Sequence, residues 1–312
     1  MGLVLVFLGA PGLAVEPSLS PPIQSLVTAH PRQTIEYRLE PVPEDPPEAY
    51  SPEQLEILEK LNRTDAERLA RQERIVVPSR WDADELQFSP IPHSVSALAG
   101  ELKALVVHQP LQVFGAYEDG ELVRWGPVSS GRLEHPTPPG RHNLTWRSRG
   151  RHSTVNPEWY LEWYFNFHNE RGISFHQYEL PGEPASHACV RLLERDARWI
   201  YEWGEGWTLD DRGWEVLEEG TPVWIVDEYD YDSPPPWLDP ENPHPEIERF
   251  PLDENEPLRT GAGQLGPSRA MILRSNRFSE PGQRSQDRLR VAGNQMARSF
   301  HVDHPDSQGT DR

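Results

Sequence analysis

The sequence predicts a mainly β domain, an antiparallel β-sandwich or open barrel with one helix beside it, preceded by a short two-helix segment. All eleven tryptophans lie between Trp81 and Trp237, and large aromatic side chains concentrate where a core is buried. Short apolar segments separated by turn residues fill this window, as in antiparallel sheets. Within this window, only residues 191–203 place apolar side chains at helical spacing.

The strands are predicted where β-branched and aromatic residues cluster. Asp119-Gly120 is a hairpin signal, because a tight two-residue turn needs residues that tolerate positive φ. The flanking segments 111–117 and 122–128 are therefore expected to pair. Further strands are predicted at 103–108, 159–168, 173–177 and 220–226.

Residues 51–79 are predicted to form two short helices with an extended exit. Ser51-Pro52-Glu53-Gln54 combines a cap hydroxyl, a proline at the first helical position and a glutamine that completes a capping box. Thr64-Asp65-Ala66-Glu67 repeats the pattern. The segment resembles a degenerate LysM-type wall-binding unit, and the alternative is a helical brace packed on the next domain.

The flanking regions are predicted to lie outside the core. Residues 1–15 form an apolar run of signal-peptide length, so we expect export to the periplasm or cell-wall space and no stable membrane span in the mature chain. Residues 16–50 contain eight prolines and are predicted to be an extended spacer. Residues 233–312 contain eleven prolines and are predicted to be a mostly disordered acidic tail, removable from residue 240 without loss of the fold.

Composition excludes several functions. The chain of 312 residues carries 30 basic and 50 acidic side chains, a net charge of −20, which would repel a phosphate backbone, so no nucleic-acid partner is expected. A single cysteine, Cys189, excludes an intrachain disulfide framework and a multi-cysteine zinc module.

Cys189 is the first candidate for chemistry. It lies directly before the predicted helix, where the helix dipole and unpaired amides would favour the thiolate. His176 lies thirteen residues upstream at the end of a predicted strand, and a loop of that length can return its imidazole to the thiol. A thiol and a neighbouring base are the pair that covalent acyl transfer needs.

Three other interpretations stay open at this point. Cys189 can be an ordinary buried thiol. His176, His187 and Cys189 can form a zinc site, although no fourth ligand stands out. A papain-like peptidase is the third, although the sequence offers no cysteine-bearing helix near the start of a mature domain.

Several segments around the cysteine resemble the L,D-transpeptidase catalytic domain, the YkuD type. Residues 176–192, HQYELPGEPASHACVRL, are similar to the signature of that family. Supporting segments occur in the family's order at 103–107, 126–132, 137–140 and 220–225. The resemblance covers about 84–230 and implies the fold of that domain, with the helix following the catalytic cysteine.

The resemblance implies a role for each site residue. Cys189 would be the nucleophile, His176 the base, and Ser186 the group that orients His176 through its backbone or hydroxyl. Backbone N–H groups around Ala188 and Cys189 would form the oxyanion hole.

Two positions depart from the family pattern, because Gln177 and Ala188 stand where the family has glycine. If position 188 needs positive φ, alanine adds about 1 kcal/mol of strain. His187 and Arg191 are expected to hold the loop rather than to react.

The function implied by the resemblance is a cysteine-dependent L,D-transpeptidase acting on peptidoglycan stem peptides. A thioester on Cys189 would be resolved by an amine to give a 3→3 crosslink, by water, or by a free D-amino acid. Carbapenems are expected to acylate the thiol, and no cofactor or metal is implied. The alternatives are a catalytically impaired wall-binding protein and a secreted cysteine peptidase.

Overall fold

The computed structural model describes residues 34–252. Its main element is one nine-stranded sheet that curls into an open barrel, which confirms the predicted mainly β fold. The predicted signal peptide at 1–15, the spacer before residue 34 and the tail after residue 252 lie outside the described residues.

The described chain begins with a unit of two strands and three helices. In order these are β1 (Tyr37–Pro41), α1 (Pro46–Ala49), α2 (Pro52–Asn62), α3 (Ala66–Leu69) and β2 (Arg74–Pro78). Strands β1 and β2 pair antiparallel. The predicted capping box is confirmed, since Ser51 N donates to Gln54 Oε1 at 2.9 Å and Gln54 N to Ser51 Oγ at 3.3 Å. The second helix is capped by Asp65 rather than Thr64.

The remaining elements form the main sheet, one helix and a small hairpin. They are β3 (Ala104–His108), β4 (Val113–Glu118), β5 (Glu121–Ser129), β6 (Gly140–Asn143), β7 (Arg147–His152), β8 (Tyr160–His168), β9 (Ile173–Gln177), β10 (Val190–Leu192), α4 (Glu194–Trp203), β11 (Thr208–Leu209), β12 (Val216–Glu218) and β13 (Pro222–Val226). Strands β11 and β12 form the hairpin, and the main sheet has the order β6-β13-β3-β4-β5-β10-β9-β8-β7.

The sheet is mixed rather than wholly antiparallel. Strand β10 runs parallel to β9, and β13 runs parallel to β3. Sequence periodicity could not reveal this, because it reports which side chains share a face and not which strands become neighbours.

Both faces of the central strands are buried. In β3, Leu105 and Val107 enter one core cluster, and Ala104 and Val106 enter another on the opposite face. Helix α4 contributes Ala197 and Ile200 to the first cluster, while the N-terminal unit covers the second. The strands therefore read as continuous apolar runs, since neither face meets water.

The N-terminal unit packs on the sheet as a brace. Lys60 Nζ donates to the Trp125 carbonyl at 2.8 Å, and Arg63 Nε donates to the Leu111 carbonyl at 2.9 Å. Glu59 in α2 also pairs with Arg195 in α4. These contacts support the brace alternative for residues 51–79, and the LysM resemblance stays a prediction.

Both predicted flanking regions are corrected where the structure describes them. The spacer was expected to extend to residue 50, but β1 and α1 lie within it. The tail was expected from residue 233, but Trp237 is 1% exposed and Phe250 is buried in the second core cluster. Proline-rich composition predicted an unfolded chain because it averages over residues, whereas a few buried aromatic side chains are enough to anchor a segment.

Phe250→Ala tests this anchoring. The Phe250 ring lies edge-on to Tyr117, with ring centroids 6.1 Å apart. Its removal is expected to lower the free energy of unfolding by about 2–3 kcal/mol, because the surrounding side chains can only partly fill the cavity that the ring leaves. A thermal melt should show a Tm lower by roughly 5–10 °C. Leu238→Ala, at a partly exposed position, is the control, and equal melting of the two variants would restore the prediction of a dispensable segment.

None of the helices within residues 34–252 combines the length and the apolar character that crossing a membrane requires.

Candidate active site

The structure places Cys189 directly before strand β10, and α4 begins five residues later at Glu194. The expectation of a thiol at a helix N-terminus is therefore wrong, because residues 190–192 pair as a strand instead of starting the helix. Burial raises the pKa of the Cys189 thiol, against the lowering effect of hydrogen bonds from Ser174 and of the charges on Arg191 and Arg151. This shift is opposite in direction to the one expected from a helix N-terminus.

Strands β9 and β10 place the cysteine and the histidine on one face of the sheet. Val190 lies opposite Phe175, and both are buried in the core. Because side chains alternate along a strand, Cys189 and His176 lie on the other face of these neighbouring strands. The shared face is compatible with the pair predicted from the thirteen-residue spacing, and the roles of the two groups as nucleophile and base stay a prediction.

The His176 ring is oriented by a backbone carbonyl. Its Nδ1 lies 2.9 Å from the Gln177 carbonyl oxygen. A carbonyl can only accept, so this contact places the proton on Nδ1 and leaves a lone pair on Nε2. Burial lowers the pKa of His176 to about 4, with the Gln177 carbonyl raising it and Arg191 lowering it further. The imidazole is consequently a neutral base at physiological pH.

Ser186 does not orient His176, which corrects the role implied by the resemblance. Its hydroxyl donates to the carbonyl of Cys189, and its amide donates to the Ser130 carbonyl at 3.0 Å. Ser186 therefore fixes the turn that carries the thiol. Its backbone continues the sheet through a parallel bridge to Gly131, which directs the side chain towards its own turn.

Two segments of the family pattern meet at this turn. Thr137 Oγ1 donates to the Ala188 carbonyl at 3.0 Å and accepts from the Gly131 amide at 2.8 Å. Tyr231 Oη also donates to the Gly131 carbonyl at 2.6 Å. The segments 126–132 and 137–140 thus hold the backbone beside Cys189.

The backbone φ of Ala188 is 76°. The condition considered for this position, a positive φ, is therefore met. A left-handed conformation costs an alanine roughly 1–2 kcal/mol. Its methyl group is buried with the core cluster, which offsets part of this strain. The oxyanion role of the amides around Ala188 and Cys189 stays a prediction.

His187 and Arg191 lie at the edges of the site. His187 stacks on His135, with ring centroids 4.7 Å apart, and contacts Trp159 at 5.0 Å. Arg191 lies over the Tyr178 ring at 4.6 Å and donates to the Glu179 carbonyl at 3.4 Å. Both are contacts that hold loops, in line with the supporting roles expected for them.

Sequence reasoning missed three residues close to the thiol. Ser174 Oγ lies 3.6 Å from Cys189 Sγ, and the pKa of the Tyr164 hydroxyl is raised to about 12 by burial and by the nearby Cys189. Arg151 lies 5.0 Å from the Tyr164 ring centroid. Strand alternation could have identified Ser174, which stands two residues before His176 on the same face.

Within residues 34–252, no group of three or more His, Cys, Asp or Glu side chains is arranged to hold a metal ion. The zinc set of His176, His187 and Cys189 does not assemble there.

A thiol and an oriented, neutral imidazole on one face of a curled mixed sheet are groups of the kind that acyl transfer through a thiol uses. Residues 103–225 match the YkuD family model, described as the L,D-transpeptidase catalytic domain. The chain thus contains a domain of this family, and the match lies inside the predicted range of 84–230.

Solved structures with similarity to the chain include several L,D-transpeptidases. One from Xylanimonas cellulosilytica is 24% identical, with 57% of this chain and 81% of that chain covered and a TM-score of 0.38. One from Stackebrandtia nassauensis is 22% identical, with 53% and 65% covered and a TM-score of 0.34. One from Mycobacterium smegmatis is 18% identical, with 40% of this chain and 59% of that chain covered and a TM-score of 0.33. The chain therefore spans under two thirds of that protein. A search of curated proteins gave no significant match.

Proposed function

We propose that the protein is a cysteine-dependent L,D-transpeptidase that acts on peptidoglycan stem peptides. The observation that carries the proposal is the orientation of His176. Its Nδ1 is occupied by the Gln177 carbonyl, so Nε2 is the free base on the sheet face that bears Cys189. This pair lies within the part of the chain that matches the family model.

The acylation step follows from these two groups. His176 Nε2 takes the proton from Cys189 Sγ while the sulfur attacks the carbonyl of the third stem residue. The resulting oxyanion would be stabilised by backbone amides of the turn at 188–189. When the tetrahedral intermediate collapses, the C–N bond breaks, the proton passes from His176 to the leaving amine, and the terminal D-alanine departs from a thioester.

The deacylation step reuses the same base. His176 takes a proton from the incoming amine or water as that nucleophile attacks the thioester carbonyl. The C–S bond then breaks, and the sulfur recovers its proton from the imidazolium. An amine from a neighbouring stem gives a 3→3 crosslink, whereas water gives carboxypeptidase activity and a free D-amino acid gives exchange.

The local charge suits a stem-peptide donor. The chain carries a net charge of −20, yet the charges that act on the thiol belong to Arg191 and Arg151. Stem peptides carry several carboxylates, which two nearby guanidinium groups would attract. The same thiol is proposed to be acylated by carbapenems, and the proposed site of action is the periplasm or cell-wall space, after export.

Mass spectrometry of the protein with disaccharide-tetrapeptides tests the proposal. We expect a thioester adduct on Cys189, release of D-alanine and a crosslinked dimer. Release without dimer would indicate a carboxypeptidase. Folded protein that gives neither product nor adduct, but that sediments with peptidoglycan, would replace the proposal with the wall-binding alternative, and cleavage of ordinary L-peptides would replace it with a peptidase.

A further inference from the structure

The thiol of Cys189 has a hydroxyl partner that the proposed reaction has not used. Ser174 Oγ lies 3.6 Å from Cys189 Sγ, within the range of a sulfur hydrogen bond, and either atom can be the donor. Ser174 is completely buried in β9. A buried hydroxyl needs a partner, because an unpaired one costs free energy comparable to a lost hydrogen bond.

A buried chain of hydrogen bonds lies behind Ser174. Thr145 Oγ1 donates to Asn166 Oδ1 at 2.7 Å, and Asn166 Nδ2 donates to Tyr164 Oη at 3.2 Å. Tyr164 Oη donates its own proton to the Gly172 carbonyl at 3.1 Å. The Tyr164 oxygen is therefore held as an acceptor, and it interacts with Ser174.

We propose that Ser174 is a catalytic residue whose hydroxyl changes hydrogen-bond partner as the Cys189 thiol loses its proton. In the resting site, Cys189 S–H donates to Ser174 Oγ, and the Ser174 O–H donates to Tyr164 Oη. When His176 Nε2 takes the thiol proton, the Ser174 O–H rotates and donates to the sulfur anion. Ser174 keeps its own proton throughout, so one proton moves, from sulfur to imidazole.

This role explains how a half-buried thiol packed against the core can ionise. Burial disfavours the thiolate because it removes water molecules that would donate hydrogen bonds to the sulfur. A hydroxyl that donates to the sulfur replaces part of that stabilisation. The other groups that act on the thiol come from neighbouring strands, namely Arg151 in β7, Tyr164 in β8 and Arg191 in β10. Substitution of Ser174 leaves all three in place. The inference rests on the proposed function only in taking Cys189 as the nucleophile.

Alkylation kinetics test the proposal directly, since Cys189 is the only cysteine of the chain and all iodoacetamide labelling reports on it. The second-order rate is measured against pH for the wild type and for Ser174→Ala, Ser174→Val and Ser174→Thr. Threonine and valine have nearly the same shape, so their difference isolates the hydroxyl. Alanine and valine differ in volume. If one of these two hydroxyl-free variants misfolds, the other can still be measured.

For the hydroxyl-free variants we expect the pH midpoint of alkylation to rise by about one unit, with a roughly tenfold lower rate at pH 7. Ser174→Thr should retain the wild-type midpoint. Ser89→Ala removes another buried hydroxyl, bonded to Ile91, and should leave the midpoint unchanged. Equal midpoints for folded Ser174→Val and Ser174→Thr would overturn the inference.

The same variants separate this inference from the proposed function. Unchanged midpoints with normal turnover of stem peptides would reject the role of Ser174 and keep the transpeptidase. If the alkylation midpoints of the hydroxyl-free variants shift but the wild type does not turn over stem peptides, the role of Ser174 at the thiol is retained and the transpeptidase proposal is rejected. If both hold, Ser174→Val should lower kcat about tenfold relative to Ser174→Thr with an unchanged KM, because the hydroxyl acts on the reacting sulfur rather than on substrate binding.

Discussion

Cys189→Ala and His176→Ala are each expected to abolish detectable transfer from tetrapeptide stems. Loss of the nucleophile removes the covalent route entirely, a loss of at least about 10⁴-fold in turnover. Loss of the base should cost about 10²–10⁴-fold. The double variant should be no slower than Cys189→Ala alone, since the two groups act as one unit. The measurement is release of D-alanine followed by mass spectrometry.

Gln177→Ala is the matched control for the histidine. It changes the neighbouring side chain but keeps the backbone carbonyl that orients the His176 ring. We expect turnover within a few-fold of the wild type. Turnover in His176→Ala equal to that in Gln177→Ala would show that His176 is not the base.

The pH dependence of the wild type follows from the same pair. The base must be neutral, so activity should fall on acidification only near pH 4, the pKa of His176, rather than near the ordinary value of 6.5. A plot of kcat/KM against pH reports this limb for the free enzyme. An acid limb close to pH 6.5 would instead indicate a solvated histidine as the base.

Arg63→Met is expected to cause the largest loss of stability, about 3–5 kcal/mol. Arg63 is fully buried at the end of α2, and its Nη1 donates to the carbonyls of Lys60 and Leu61 at 2.8 and 2.7 Å. Its Nε reaches the Leu111 carbonyl in the main sheet. Methionine fills similar space but removes the guanidinium donors of these three carbonyls, of which that of Lys60 keeps the bond from the Arg63 amide at 3.4 Å. Each lost donor costs about 1–3 kcal/mol, partly offset by removal of a buried charge.

Arg71→Met provides the comparison. Arg71 is exposed and pairs with Glu67 one helical turn away, so its loss should change stability by no more than about 0.5 kcal/mol. Denaturant unfolding of both variants measures the two losses of stability. If the two lose equally little stability, the bonds of Arg63 do not tie the N-terminal brace to the sheet.

Local structure was predictable because its causes lie within a few residues. The cap of α2 needs only Ser51, Pro52 and Gln54, and the β4–β5 turn needs only Asp119 and Gly120, which both have positive φ. The predicted strands of the main sheet likewise agree with the observed ones. A positive φ at Ala188 was raised as a condition by comparison with a local motif, and the structure meets that condition.

The sequence by itself therefore determined the mainly β class, the cap and hairpin, and the pairing of Cys189 with His176 as candidates for chemistry. Only the tertiary structure decided the parallel neighbours β9 and β10, the Gln177 carbonyl as the group that orients the imidazole, and the burial that raises the pKa of the thiol. It also decided that residues near Phe250 belong to the core. Each of these depends on contacts between residues distant in the chain, and burial, which sets both packing energy and pKa, is a property of the assembled neighbours rather than of any local pattern.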